Sequence, residues 1–281
     1  SGRFRNFMAY TREWTEPYGS EDSHGRALWA LGGVVGRSYT PGTRGLAADL
    51  FHAALPAVVS MTSPRAWAYA LLGMDDYLNA FEGDRGVEAK RSTLAKRLHK
   101  LYIRTSGHDW PWFEERVTYC NARLSQALIA SGERMGDEAM VAAGLTSLTW
   151  LLDIQRSAQG NFAPIGSNGF LERGQATPEF DQQPVEACTI VSACLEAHRV
   201  TGNAQWHGHA RRAFNWFLGQ NDVHVALYDG STGGCRDGLH ADRANENQGA
   251  ESTVSFLLAL LEMRLAEQLD GAIPQPLAAT A

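Results

Sequence analysis

The sequence is short of several things, and each shortage excludes a class of protein. Its 281 residues include four cysteines, Cys120, Cys188, Cys194 and Cys235, with no CxxC pair. That is too few and too scattered for a disulfide framework. Basic residues are not in excess: 25 Lys and Arg stand against 31 Asp and Glu, a net charge of −6. A nucleic-acid groove, which needs a basic stripe, is therefore not expected. No apolar run approaches the roughly 18 residues of a membrane span. The chain begins Ser1-Gly2 with no charged-then-apolar leader, so it reads as cytoplasmic and as a piece of something longer.

Metal-ligand patterns are scarce too. His207 and His209 are two apart in a helical stretch, where their side chains diverge, and His224 and His240 look isolated. The glycine-rich stretch 160–174 lacks both GxGxxG and the Walker spacing. No GxSxG is present. No metal and no cofactor are expected.

What is present is helix. Apolar residues recur at helical spacing over approximately 24–37, 43–60, 64–81, 86–103, 119–132, 137–156, 184–201, 204–220 and 247–268. In the last of these, Val254, Leu257, Leu258, Leu261 and Leu265 trace one face, predicted to be buried. Pro64 and Pro184 sit where helices should start, and Gly132, Gly202 and Gly219 where they should stop. The best strand-like run is Val223 to Tyr228.

The helices pair. Short links at Ser38–Gly42, Glu82–Gly86, Glu133–Gly136 and Thr201–Asn203 read as helical-hairpin turns. The joins between pairs, Thr105–Thr118, Ala158–Gln183 and Asn221–Asn247, are longer, and long loops in compact domains are usually functional. Alternate helices share one kind of lead-in, rich in carboxylates and amides: residues 21–28, 119–124, 181–188 and 245–252, with a degenerate fifth at Ser63–Trp67. They recur every roughly 40 to 65 residues, the scale of a helical-hairpin repeat. The pattern predicts an all-α toroid of helical hairpins, a single domain over 1–281. Its inner helices would open their N-termini onto one mouth, where positive dipole ends favour carboxylates. Aromatic rings, amides and carboxylates around such a mouth suit a sugar.

The segments Gly19–Gly32 (GSEDSHGRALWALG), Phe180–Ala187 (FDQQPVEA) and Asn247–Thr253 (NQGAEST) resemble the six-hairpin glycosidase-like (α/α)6 domains of bacteria. The resemblance is narrower to a subgroup found beside glycosyltransferases and mannoside-processing genes. Phe4–Trp14, Trp110–Leu124, Gly160–Gly169 and Gly233–Leu239 extend it over nearly the whole chain. It implies six inner helices where five lead-ins are counted, so one N-terminal hairpin is missing relative to the family. It also implies an Asp where Cys120 stands.

Glycoside hydrolysis needs two carboxyl groups astride the scissile bond. The candidates are Glu21, Asp22, Glu114, Glu115, Asp181, Glu186, Asp237, Glu246 and Glu251. Glu114 lies in the aromatic loop Trp110-Pro-Trp-Phe-Glu, and a carboxyl among apolar rings keeps its proton more readily, as a general acid requires. Asp181 is its expected partner as base or water-positioner, with Asp22 in reserve. Both aspartates precede helices and could equally be N-caps. Glu186 and Glu251 could bind substrate or simply complement a helix dipole. His24 and Arg26 could bind hydroxyls or phosphate, or Arg26 could bridge two helices. Asn121, Arg123, Gln182, Gln183, Asn247 and Gln248 are expected as hydroxyl contacts, or as ties between loops and helix ends. Trp110, Trp112, Tyr18 and Phe170 are expected to stack on sugars, and Trp29, Trp67, Trp150 and Trp216 to be core.

The expected activity is therefore a carbohydrate-active enzyme, foremost a glycoside hydrolase on a bacterial oligo- or polysaccharide. One alternative is a non-catalytic glycan-binding or scaffold module serving a glycosyltransferase, for which Cys120 argues. Another is a sugar epimerase or isomerase, which usually wants histidine bases and has only His24 well placed. A polysaccharide lyase would use Tyr119 and Arg123. Exposed apolar flanks of an incomplete ring leave an oligomer open.

Overall fold

The structure is a computed structural model, and it describes residues 2–272. Helix starts follow local chemistry. Ser20 caps α1 (Glu21–Arg37) by accepting the Ser23 N–H at 3.1 Å, and α1 carries acids in its first turn and Arg37 in its last. Proline opens α2 (Pro41–Ala54), which passes into a 3-10 turn at Leu55–Ser60. Proline also opens α3 (Pro64–Ala80), behind the cap Ser63. Asp84 caps α4 (Arg85–Thr105) through the N–H groups of Gly86 and Val87. Then follow α5 (Ala122–Met135), α6 (Glu138–Ile154), α7 (Pro184–Thr201), α8 (Gln205–Phe217) and α9 (Ala250–Ala272). Two-residue strands β1 (Arg116–Val117) and β2 (Leu171–Glu172) pair antiparallel. Gly202, at φ 67°, ends α7 as a left-handed cap.

The chain forms two compact units. Residues up to Glu115 together with Ala122–Trp150 make the first, and Arg116–Asn121 together with the chain from Leu151 onward make the second. In the first, α1 packs on α3 and α3 on α5, while α2 lies back on α1 and α4 on α3. In the second, α7 packs on both α8 and α9. Each lead-in recognised in the sequence therefore opens an odd-numbered helix, and among the described residues there are five of these.

The α1–α3 contact is backbone on backbone. A Cβ on Gly32 would lie 2.0 Å from the Gly73 carbonyl oxygen, and one on Gly73 would lie 2.4 Å from that of Leu28. No side chain fits between these helices, so glycine is required on both.

Three expectations fail for physical reasons. Gly132 does not stop α5. It is buried inside the helix, where a Cβ would sit 2.8 Å from the Val141 nitrogen, and the stop falls at Gly136 with φ 65°. Residues 223–228 are turn and loop, with only Tyr228 bridging to Cys235. The predicted buried face of α9 is its outward one: Val254, Leu257, Leu261 and Leu265 are 61, 43, 56 and 57% exposed. The buried face is instead Ser252, Ser255, Phe256, Ala259 and Met263. Small residues let α9 approach α7 closely, and hydrophobic periodicity cannot rank a smooth face above a greasy one.

Candidate functional site

In the first unit the lead-ins of α1 and α3 are tied by a carboxylate. Glu21 accepts the N–H groups of Thr62 at 2.8 Å and Ser63 at 2.7 Å, so it caps α3 from the first turn of α1. Beside it, Asp22 pairs with Arg26 one turn on, at 2.7 Å. The Arg26 guanidinium lies 4.6 Å from the centroid of the Tyr69 ring. Tyr69 packs on Trp29 with centroids 5.5 Å apart, and the Arg123 guanidinium covers the Trp29 ring at 4.5 Å. A continuous chain of charge and aromatic faces thus joins the N-terminal turns of α1, α3 and α5. Trp29, expected in the core, is half-buried and belongs to it.

Glu114 does not sit as a lone carboxyl among rings. Its carboxylate meets the buried Arg65 guanidinium at 2.6 Å, which ties the aromatic loop to the first turn of α3. The expected stacking residues Trp110 and Trp112 are 5% and 0% exposed and turn their rings onto Trp150 instead. Trp110 Nε1 donates to the Glu114 backbone carbonyl. Sequence distance correctly put these rings near Glu114, but the loop folds inward around them. His24 is likewise unavailable to a sugar. It is wholly buried, with Nε2 against the Ala54 carbonyl at 3.1 Å and Nδ1 facing the Phe4 N–H. Burial holds its proton affinity below the usual histidine range, only partly offset by the Ala54 contact.

In the second unit, Glu186 is 3% exposed and accepts from the backbone N–H of Cys120 and from Asn121, through its backbone N–H at 3.4 Å and Nδ2 at 2.9 Å. It holds the turn just ahead of Ala122, where Cys120 adopts φ 49°. Asn121 also brackets Thr118 through both its amide atoms. Gln182 is buried, donating to the Glu179 carbonyl and accepting from Trp216 Nε1 at 2.8 Å. Asp237 receives the Gly249 N–H at 2.7 Å and the Asn247 amide, just before α9. Burial works against its charge, but hydrogen bonds from Asn247, Ser252 and Gly249 hold its carboxyl below the ordinary range. Gln248 bonds Thr232 and Asp229. These side chains build the lead-ins. Tyr119, Gln183 and Glu251 retain exposed surface: Tyr119 and Glu251 are exposed and Gln183 half-buried.

Asp181 is different. Its side chain is 40% exposed and is hydrogen-bonded to Nδ1 of His240, itself 28% exposed. Backbone pairing fixes the two: Gln182 and Leu239, their chain neighbours, exchange hydrogen bonds at 2.9 and 3.0 Å. His240 Nε2 makes no hydrogen bond to a described residue. Sequence reading missed His240 because its partner lies 59 positions away. Nearby in the chain, Phe180 and Gln182 help line a cavity of about 580 Å³ with Asp153, Arg156, Gln159 and Asp222. Among the described residues no cluster of three His, Cys, Asp or Glu could hold a metal ion, and no described helix is long and apolar enough to cross a membrane.

No family model and no curated protein matches the chain. Solved structures do. A heparin-specific unsaturated glucuronyl hydrolase aligns over 95% of this chain and 74% of its own, with TM-score 0.65 and 12% identity. A sugar epimerase from a ruminal bacterium aligns over 98% and 81%, with TM-score 0.61 and 12% identity. A D-mannose isomerase aligns over 92% and 73%, with TM-score 0.61 and 11% identity. This chain shares the α/α-toroid fold of these structures.

Proposed function

We propose that the protein is a carbohydrate-active enzyme that moves a proton on a reducing sugar, as an isomerase or epimerase does. The observation that carries this reading is the Asp181–His240 pair. A carboxylate on Nδ1 orients the imidazole and leaves Nε2 to exchange protons, the usual arrangement of a histidine general base. On an open-chain aldose, Nε2 would take the proton from C2. The C–H electron pair would then form the C1–C2 double bond while the carbonyl oxygen gained a proton. Returning the proton to C1, as the 2-hydroxyl loses its own, yields the ketose. Delivering a proton to the other face of C2, as the C1 hydroxyl loses its own and the C1 carbonyl re-forms, yields the epimer. A sugar epimerase and a D-mannose isomerase among the solved structures of this fold lend support.

Glycoside hydrolysis is the second reading. The side-chain exposure of Asp181 and the glucuronyl hydrolase of the same fold lend it support, while Asp22 is paired with Arg26. Glu114 fits it less well, since the carboxylate is committed to Arg65. One experiment separates the two. The protein is incubated with aldoses and with oligosaccharides in D2O. Deuterium at C2 with no glycosidic cleavage supports isomerisation or epimerisation. Released sugar without C2 exchange supports hydrolysis.

A further inference from the structure

The cavity of about 580 Å³ lies wholly in the second unit and takes no part in the proton transfer. Neither Asp181 nor His240 lines it. Asp181 stands in the chain between two wall residues, Phe180 and Gln182, while its own carboxylate is bonded to His240. The volume is that of a small-ligand site, roughly 300–1,000 Å³. Solvent reaches it, since the lining residues Asp153, Arg156, Gln159, Thr177 and Glu179 are all exposed.

The walls are held in place. Ser157 Oγ and Asn161 Nδ2 both donate to Oδ1 of Asp222, at 2.8 and 2.7 Å, which fixes the carboxylate. Its Oδ2 has no hydrogen-bond partner among the described residues. Gln182, 2% exposed, accepts from the Trp216 indole and donates to the Glu179 carbonyl. The Gly166 N–H donates to the Pro178 carbonyl at 2.8 Å, and the Ala163 N–H to that of Gln155 at 2.9 Å, which joins the wall segments to one another. A site formed in advance binds without first ordering its own groups.

The lining is of two kinds. Phe180, Pro164 and Pro178 give apolar surface. Asp153, Arg156, Gln159, Thr177 and Glu179 bring side chains that make no hydrogen bond to a described residue, so donors and acceptors are both to spare. Charge narrows the choice. An acid would use the donors alone and meet the carboxylates of Asp153, Glu179 and Asp222, none of which forms an ion pair with a described residue. An ammonium would use the acceptors alone and be opposed by Arg156. Hydroxyl groups use both, and a sugar ring has C–H faces for the apolar surface. From this we infer that the cavity is a second saccharide site, for an uncharged sugar, separate from the Asp181–His240 pair. The inference rests on the carbohydrate reading above and adds a place where a sugar is held without being converted.

The test uses sugars that cannot open: the methyl glycosides of D-glucose, D-mannose, D-glucosamine and D-glucuronate, titrated into the whole protein by calorimetry. A closed ring presents no aldehyde, so binding is read apart from turnover. The glucoside or the mannoside is expected to bind at least about tenfold more tightly than the glucuronide. Ala158→Trp, at an exposed lining residue away from the core, should abolish that binding by filling the cavity. Asp222→Asn keeps the shape and removes one acceptor, and should weaken it at least about fivefold. Glucuronide binding as tight as that of the neutral glycosides, or glucosaminide binding tenfold tighter than theirs, overturns the uncharged class. No binding of either neutral glycoside, or binding that survives Ala158→Trp, overturns the site. Exchange at C2 of a free aldose judges the catalytic reading by itself, so the two failures stay distinct.

Discussion

Glu21 on α1 accepts the backbone N–H groups of Thr62 and Ser63, and so caps a helix that is not its own. Glu186 and Asp237 do comparable work at residues 120–121 and 249. Acidic residues at the lead-ins thus divide into those that satisfy orphan helix donors and those left with a free oxygen face. That division governs what substitutions should do.

Replacing Glu21 with Ala should destabilise the protein by about 1–2 kcal/mol, the worth of a lost N-cap. Thermal unfolding reads the loss, and an unchanged midpoint would refute the cross-helix cap.

Glu186→Ala should cost more, since it strands the buried Cys120 N–H and the Asn121 amide, at about 1–3 kcal/mol for each unsatisfied group. Glu186→Gln keeps an acceptor oxygen and should fall between wild type and Ala in a denaturant titration. Equal losses for the two variants would mean that shape, not hydrogen bonding, is what counts.

Two glycine substitutions should act in opposite directions. Gly32→Ala forces a methyl into the Gly73 carbonyl and should lower stability by at least about 1–3 kcal/mol. Gly45→Ala, inside α2 with nothing within 4 Å of the added carbon, should raise it by about 0.5–1 kcal/mol. A stable Gly32→Ala would contradict the close α1–α3 approach.

Acid should loosen the first unit through His24. Its folded-state proton affinity lies below the unfolded value of 6.5 because the ring is buried. The unfolded chain then binds the extra proton, so the contribution is complete above pH 6.5 and is lost as pH falls through the folded value. His24→Gln should flatten the stability–pH curve in that window, measured by denaturant midpoints from pH 7 downward. An unchanged slope would show that another group titrates there.

The helices were legible because a 3.6-residue period, proline starts and glycine stops are local, and the odd-helix lead-ins were legible because they repeat. Inside and outside were less so. Trp110 and Trp112 look like a binding platform in a polar loop, yet the loop turns them inward. On α9 the richer apolar face lies outward, because Ser252, Ser255 and Ala259 pack more closely. Of the candidate pair, Asp181 could be named from its lead-in, but His240 could not be joined to it by any local pattern. Nor could sequence foresee that Glu114 would be committed to Arg65.

The Asp181–His240 pair is open to a direct measurement: the rate at which C2 of an aldose exchanges its hydrogen for deuterium in D2O, followed by NMR, for wild type, His240→Gln and Asp181→Asn. The account predicts exchange by the wild type, its loss in His240→Gln, and a drop of roughly 10²–10⁴-fold in kcat for Asp181→Asn. Exchange that persists at the wild-type rate in His240→Gln would contradict it.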